Sequence, residues 1–301
     1  MKAFQTLLYY KYCRINDAEK FAVLHLNFCK SLRLKGRILV SEEGINGTVS
    51  GPVIQCKKYM DQLKNDPIFH GIEFKIDEVD EVSFDKMHVR YKSEIVNLGC
   101  PDVDPTNSDV PHLSASEVLE MKDKEDVVML DVRNKVEYEL GKFKDALTLD
   151  IDTFREFPEH LNEIEEYKDK KIIAYCTGGI RCEKATLVMK NMGFKNVYQI
   201  DGGIFKYGRE AGGRDFEGKM YVFDKRLAVD VNDVNPKVIS KCRICDSTTS
   251  KMVNCANPEC NEHFVLCEDC GWKMKGCCSD SCLDAPNVRP YDGSGYYSKG
   301  E

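Results

Sequence analysis

The residues with the clearest capacity for chemistry lie in the run 172–185, IIAYCTGGIRCEKA. An apolar stretch expected to form a buried strand delivers Cys176. Thr177, Gly178, Gly179 and Ile180 follow as a loop, and a helix is expected to begin near Arg181 and Cys182. Such a loop points several backbone N–H groups toward its centre and sits over the positive end of the helix. Both effects stabilise charge on sulfur, so Cys176 is expected to be a reactive thiolate. Two glycines permit a tight turn, and Arg181 offers a planar cationic fork to an anion approaching the sulfur. Cys182 is either a resolving thiol for a modified Cys176 or a buried residue of the first helical turn. Phosphatase loops of the Cys-x5-Arg type place five residues between the two. Here four intervene, and the tighter loop favours sulfur chemistry over phosphate chemistry.

A second constellation fills the tail. Cys242, Cys245, Cys255, Cys260, Cys267, Cys270, Cys277, Cys278 and Cys282 fall within 41 residues, nine of the 15 cysteines in the chain. Thiolates a few residues apart reach one tetrahedral zinc, and two pairs close a four-cysteine site. Nine sulfurs suffice for two sites, with one spare or one replaced by His263. The first and third pairs are expected to share one ion, and the second pair to share another with the last cluster. Ions saturated by thiolate would be structural, holding a segment too small for its own core.

The elements that must carry these groups follow from periodicity. Residues 4–12 read as a strand and 17–32 as an amphipathic helix with Asp17 as its cap. Residues 36–51 read as a strand, a turn at Gly44–Gly47 and a second strand; 52–66 read as a helix opened by Pro52. Two β-rich runs, 72–79 and 86–96, complete a β-α-β-β-α-β order. That order predicts a ferredoxin-like (acylphosphatase-like) α+β sandwich over residues 1–98. A linker with three prolines covers 99–111. Alternating strands and helices over 112–213 predict an α/β domain with a parallel sheet, and 214–301 is the Cys-rich region.

Composition narrows the setting. The chain has 301 residues and a formal net charge of −7, so any contact with nucleic acid must come from a local basic patch. Neither a cleavable leader nor a membrane-length apolar run is seen, which makes a cytoplasmic protein the expectation. No two-His-one-carboxylate iron signature, flavin fingerprint or dinucleotide-binding Gly motif is found.

Cys176-Thr-Gly-Gly-Ile-Arg181 resembles the rhodanese pattern Cys-x-x-Gly-x-Arg. The run 130–146 (LDVRNKVEYELGKFKDA) and the run 201–208 (DGGIFKYG) resemble the opening and closing rhodanese motifs, departing from them at Lys142 and Tyr207. Together with SEEGINGTVSG (41–51), KMHVRYKSEIVNLG (86–99) and YVFDKRLAVD (221–230), they resemble the bacterial rhodanese-domain-containing tRNA uridine hydroxylase family. The resemblance covers nearly the whole chain. It implies oxygen-dependent 5-hydroxylation of the wobble uridine of tRNA, with Cys176 as the required thiol and a candidate persulfide carrier, and molecular oxygen as co-substrate. The alternatives are a sulfurtransferase acting on a small sulfur anion, and a zinc-stabilised adaptor without catalysis. Candidate RNA-binding residues on the first domain are Lys35, Arg37, Lys86, Arg90 and Lys92, with His88 and Tyr91 interleaved for stacking. Oligomeric state is not legible in the sequence.

Overall fold

The computed structural model describes residues 2–297. Strands β1 (Phe4–Tyr12), β2 (Lys35–Ser41), β3 (Gly44–Pro52), β4 (Glu73–Val79) and β5 (Met87–Tyr91) form one sheet in the order β4-β1-β3-β2-β5. Helices α1 (Ala18–Ser31) and α2 (Val53–Asn65) cover one face. This is the expected ferredoxin-like arrangement with an added parallel edge strand, β5 against β2. Strand alternation sends Leu7, Tyr9, Ile38, Val40, Ile45 and Val49 into the core beneath the helices.

Two local expectations are corrected. The β2–β3 turn is Glu42–Glu43, because Ser41 pairs with Gly44 and Gly44–Gly47 already belong to β3. Gly44 is required there: its φ is +145°, and a Cβ would stand 2.1 Å from the Lys11 carbonyl oxygen. Asp17 precedes α1 in left-handed geometry, and its side chain makes no capping hydrogen bond.

The second sheet is parallel throughout, in the order β6-β11-β10-β7-β9. Its strands are β6 (His112–Leu113), β7 (Val127–Asp131), β9 (Leu147–Thr148), β10 (Lys171–Tyr175) and β11 (Asn196–Ile200). A short β8 (Gly141–Phe143) pairs with β12 (Phe216–Gly218) outside it. Helices α3 (Ala115–Lys124), α4 (Lys135–Leu140), α5 (Phe157–His160), α6 (Ile180–Asn191) and α7 (Gly203–Ala211) connect the strands. α3 begins with a full capping box, Ser114 and Glu117 satisfying each other's backbone N–H. Ile172, Ala174 and Cys176 face one core while Ile173 and Tyr175 face the other. A sheet buried on both sides explains why β10 is apolar without alternation.

The tail adds a hairpin of β13 (Met220–Tyr221) and β14 (Ala228–Val229), a second of β15 (Met252–Asn254) and β16 (His263–Val265), and helices α8 (Glu268–Lys273) and α9 (Asp280–Leu283). Its core is largely sulfur, with Cys242, Cys255, Cys270, Cys277 and Cys282 around Val253, Phe264 and Leu266. Among the described residues no helix is long and apolar enough to cross a membrane.

Candidate active site

Cys176 leaves the carboxyl end of β10, where parallel sheets present their crevices. The backbone turns through Gly179 at φ +100° into α6, and the Gly179 N–H donates to Cys176 Sγ at 3.1 Å. The loop is held from behind by α7. The Ile204 and Phe205 N–H groups donate to the carbonyls of Cys176 (2.9 Å) and Thr177 (3.0 Å). These bonds occupy the loop's carbonyls and leave its N–H groups for the sulfur. Gly203 makes the approach possible: at φ +65°, a Cβ would lie 2.4 Å from the Cys176 oxygen and 2.8 Å from the Gly179 nitrogen.

Cys176 is fully buried, and burial pushes a thiol up. Cys29 and Cys56, buried in the first domain, are raised to about 12 and about 11 for that reason. Cys176 goes the other way. Against the upward push of burial, a hydrogen bond from the Cys182 thiol, the Arg181 charge and the Arg181 and Cys182 N–H groups hold it down at about 5. Cys182 is raised correspondingly, first by burial and then by the neighbouring thiolate. The two sulfurs thus form one ionised and one protonated partner.

Arg181 differs from the expectation in one respect. Its fork is not open to an incoming anion, because Nη1 and Nη2 donate to the two carboxylate oxygens of Glu137 at 2.6 Å each. Both residues are buried. Arg181 therefore acts on Cys176 as a fixed positive charge at a distance. Glu137, which sequence reasoning passed over, lies within the opening rhodanese motif; a carboxylate beside Tyr138 at a helix start was the available signal. Thr177 Oγ1 sits 3.5 Å from both members of the pair, and Ile180 offers its carbonyl to Tyr12 Oη at 3.3 Å.

The first domain closes the site. Its helix-free sheet face lies directly on the Cys176 loop. Gly178 packs so closely against Leu8 that a Cβ would meet its Cδ2 at 2.9 Å. Tyr10 donates to Glu183 Oε1 at 2.8 Å, and that oxygen also bonds His112 Nε2 at 3.0 Å. Burial raises Glu183, but His112 and Tyr10 outweigh it and keep the group ionised. Lys184 on α6 is almost wholly enclosed and reaches Glu43 (2.8 Å) and Glu94 (2.7 Å) of the first domain. Beside the loop, Tyr10, Tyr12, Lys75, His112, Glu183 and Asp201 line a cleft of about 260 Å³. That is just under the lower end of the roughly 300–1,000 Å³ usual for small-molecule sites.

The tail cysteines gather into two groups, Cys242, Cys245, Cys267 and Cys270, and Cys255, Cys260, Cys278 and Cys282, with all sulfurs of a group within 4.8 Å of one another. Four sulfurs at about 2.3 Å from a tetrahedral ion lie about 3.8 Å apart. The contacts Cys245–Cys267 (3.7 Å), Cys260–Cys278 (3.7 Å) and Cys278–Cys282 (3.6 Å) fit that spacing. Cys277, expected among the ligands, lies in neither group; its thiol is 3.9 Å from the Lys275 carbonyl. His263 is also outside them, its Nδ1 paired with Tyr221 Oη at 2.7 Å.

Of the candidate RNA contacts, Arg37, Lys86 and Arg90 come together around His88 on the helix-free face. Slight burial and then these three cations lower the His88 pKa. Lys35 and Lys92 flank them as exposed residues. Tyr91 does not interleave, since alternation turns it to the opposite face, where its hydroxyl bonds Glu42 at 3.0 Å.

Three family models match the chain in order: a UPF0176 acylphosphatase like domain over 4–95, a rhodanese-like domain over 114–210 and a rhodanase C-terminal segment over 217–283. Fold and site together define a rhodanese-like protein with an acylphosphatase-like domain ahead of it. Among curated proteins, the tRNA uridine(34) hydroxylase of Cytophaga hutchinsonii is 50% identical over 99% of this chain and 96% of its own. That of Streptococcus suis is 49% identical over 80% of this chain and 76% of its own. The chain belongs to the tRNA uridine(34) hydroxylase family. Among solved structures, a rhodanese-related protein from Thermoplasma volcanium is 25% identical over 33% of this chain and 92% of that one, at a TM-score of 0.29.

Proposed function

We propose that this chain hydroxylates C5 of the wobble uridine of tRNA in the cytoplasm, with molecular oxygen as co-substrate and Cys176 as the working thiol. The observation that carries the mechanism is the ionised Cys176, held at about 5 in full burial beside a cleft shared by two domains. Relatives at 49–50% identity, named as tRNA uridine(34) hydroxylases, support the choice of substrate.

Replacing C5–H by C5–OH removes two electrons from the base. Oxygen accepts four, so its second atom leaves as water with two more electrons and two protons. The Cys176 thiolate and the Cys182 thiol against it supply the two electrons and one proton by closing to a disulfide, solvent supplies the second proton, and an external thiol then reopens the disulfide. The same thiolate accepts sulfane sulfur as a persulfide. The four-residue gap between Cys176 and Arg181 favours that loaded form, and it supports thiosulfate or persulfide sulfur transfer as the second reading.

Each four-cysteine group holds one structural zinc, which ties β15, β16, α8 and α9 into a module with little other core. With all four positions filled by thiolate, these ions support the fold and take no part in the reaction.

Nucleoside mass spectrometry of tRNA from a deletion strain tests the reading. Loss of 5-hydroxyuridine-type nucleosides, restored by the wild-type gene and not by Cys176→Ser, is expected. Restoration by Cys176→Ser removes Cys176 from the chemistry, and unchanged tRNA in the deletion strain, with steady thiosulfate turnover, transfers the assignment to the second reading.

A further inference from the structure

A second opening, of about 210 Å³, lies where the first domain meets the tail. Its walls come from three parts of the chain: Arg37 from β2, Tyr221 and Phe223 around β13, and Asn261, His263 and Tyr296 from the Cys-rich module. Tyr221 is buried and fixed by its bond to His263. Phe223 stands nearly perpendicular to it, ring centroids 4.9 Å apart, yet remains 53% exposed. An aromatic ring positioned by packing and left open to solvent is a platform for a planar ligand.

Arg37 joins this platform to the basic surface of the sheet. His88 is its cross-strand neighbour, with Arg90 two residues further along that strand and Lys86 immediately before its first residue. Among the described residues, Arg37, Lys86 and Arg90 make no ion pair, although the chain carries a net charge of −7. Concentrated cations beside an exposed ring match a polyanion that also offers flat bases.

Register sets how far this surface is from the chemistry. Leu8, Thr48, Arg37 and His88 form one cross-strand row, and Leu8 is the residue packed on Gly178 of the Cys176 loop. With strands about 4.8 Å apart, Arg37 lies about 10 Å and His88 about 14 Å from β1. A few nucleotides span that distance. Tyr221, raised first by its burial, also senses the charges of Glu137, Arg37, Asp224 and Arg181, so the opening lies within electrostatic reach of the Arg181–Glu137 pair.

We infer that this opening binds single-stranded RNA, with Phe223 stacking on the base of a nucleotide beside the one modified, and Arg37, Lys86 and Arg90 holding the phosphates that lead to it. The inference rests on the tRNA reading above and adds where the anticodon loop lies on the protein.

The test is binding of a fluorescein-labelled anticodon stem–loop RNA to the full chain across a salt series, beside hydroxylation of the same RNA. Phe223→Ala should weaken binding about tenfold without changing the salt slope, as loss of a stacked base does, and Phe223→Trp should restore it. Arg37→Ala should lower the slope of log K against log salt by about one. Wild-type affinity and slope in both variants overturn the inference, as does a wild-type chain that does not hold the stem–loop. Equal weakening by an acidic peptide competitor with no base preference assigns the surface to a protein partner and overturns it too. A chain that binds the stem–loop as described but never hydroxylates it refutes the proposed function and leaves this surface standing.

Discussion

Acidification is the most direct probe of the sulfur at the centre of this site. Cys176 is held at about 5, whereas an ordinary thiol titrates at 9.0. At pH 7 the first is roughly 99% ionised and the second about 1%, a hundredfold difference in thiolate. Nucleophilicity falls with pKa, with a Brønsted slope of about 0.4–0.5, so four units cost roughly 40- to 100-fold in intrinsic reactivity. The two effects nearly cancel at pH 7, and a single rate measured there decides nothing. At pH 6 the ordinary thiol is only about 0.1% ionised while Cys176 stays roughly 90% ionised, so Cys176 should react about 10- to 20-fold faster. The assay is alkylation by a small electrophile between pH 4 and 9, followed on the Cys176 peptide by mass spectrometry. The expected profile is flat above pH 6 with a midpoint near 5. A rate that climbs tenfold per unit through pH 8 would falsify the thiolate and, with it, the reading of the loop as an anion-stabilising cradle.

Three further outcomes follow from the same geometry. Gly203→Ala puts a Cβ against the Cys176 carbonyl and forces left-handed backbone costing about 1–2 kcal/mol; the alkylation midpoint should move up toward 9.0 as the displaced loop draws the Arg181 and Cys182 N–H groups away from the sulfur. Glu137→Gln leaves Arg181 buried without its counter-charge, a loss of about 3–5 kcal/mol that should appear as a melting temperature lower by several degrees. Elemental analysis should find two zinc ions per chain, one of them lost in Cys245→Ser and the other in Cys260→Ser, while Cys277→Ser keeps both. Retention of both ions by Cys245→Ser and Cys260→Ser refutes the assigned pairing.

What the sequence determined by itself was everything set by short-range spacing. The strand–Cys–Gly-Gly–helix order of 172–185 places Cys176 at a strand end under any packing, because local backbone geometry needs only neighbouring residues. The β-α-β-β-α-β order of the first domain was legible for the same reason, as was the occurrence of the tail cysteines in close pairs, whereas which pairs come together depends on how the tail folds. The turn at Glu42–Glu43 was misplaced because Gly44, Asn46 and Gly47 together mimic a turn, while only pairing with β1 and β2 shows that Gly44 and Gly47 are strand residues.

Tertiary structure alone decided what surrounds the sulfur. α6 shows almost no amphipathic stripe, because Arg181, Cys182, Lys184, Ala185, Val188 and Met189 are buried from several sides. One side faces its own sheet, and another faces a domain encoded over a hundred residues earlier. The Tyr10–Glu183 bond spans 173 positions and the Lys184–Glu43 pair 141, separations at which no periodicity carries information. Nor can spacing show that the Arg181 fork is already filled by Glu137, since that depends on α4 crossing the loop in space. Local chemistry is written in adjacent residues, whereas the partners that tune it are chosen by long-range packing.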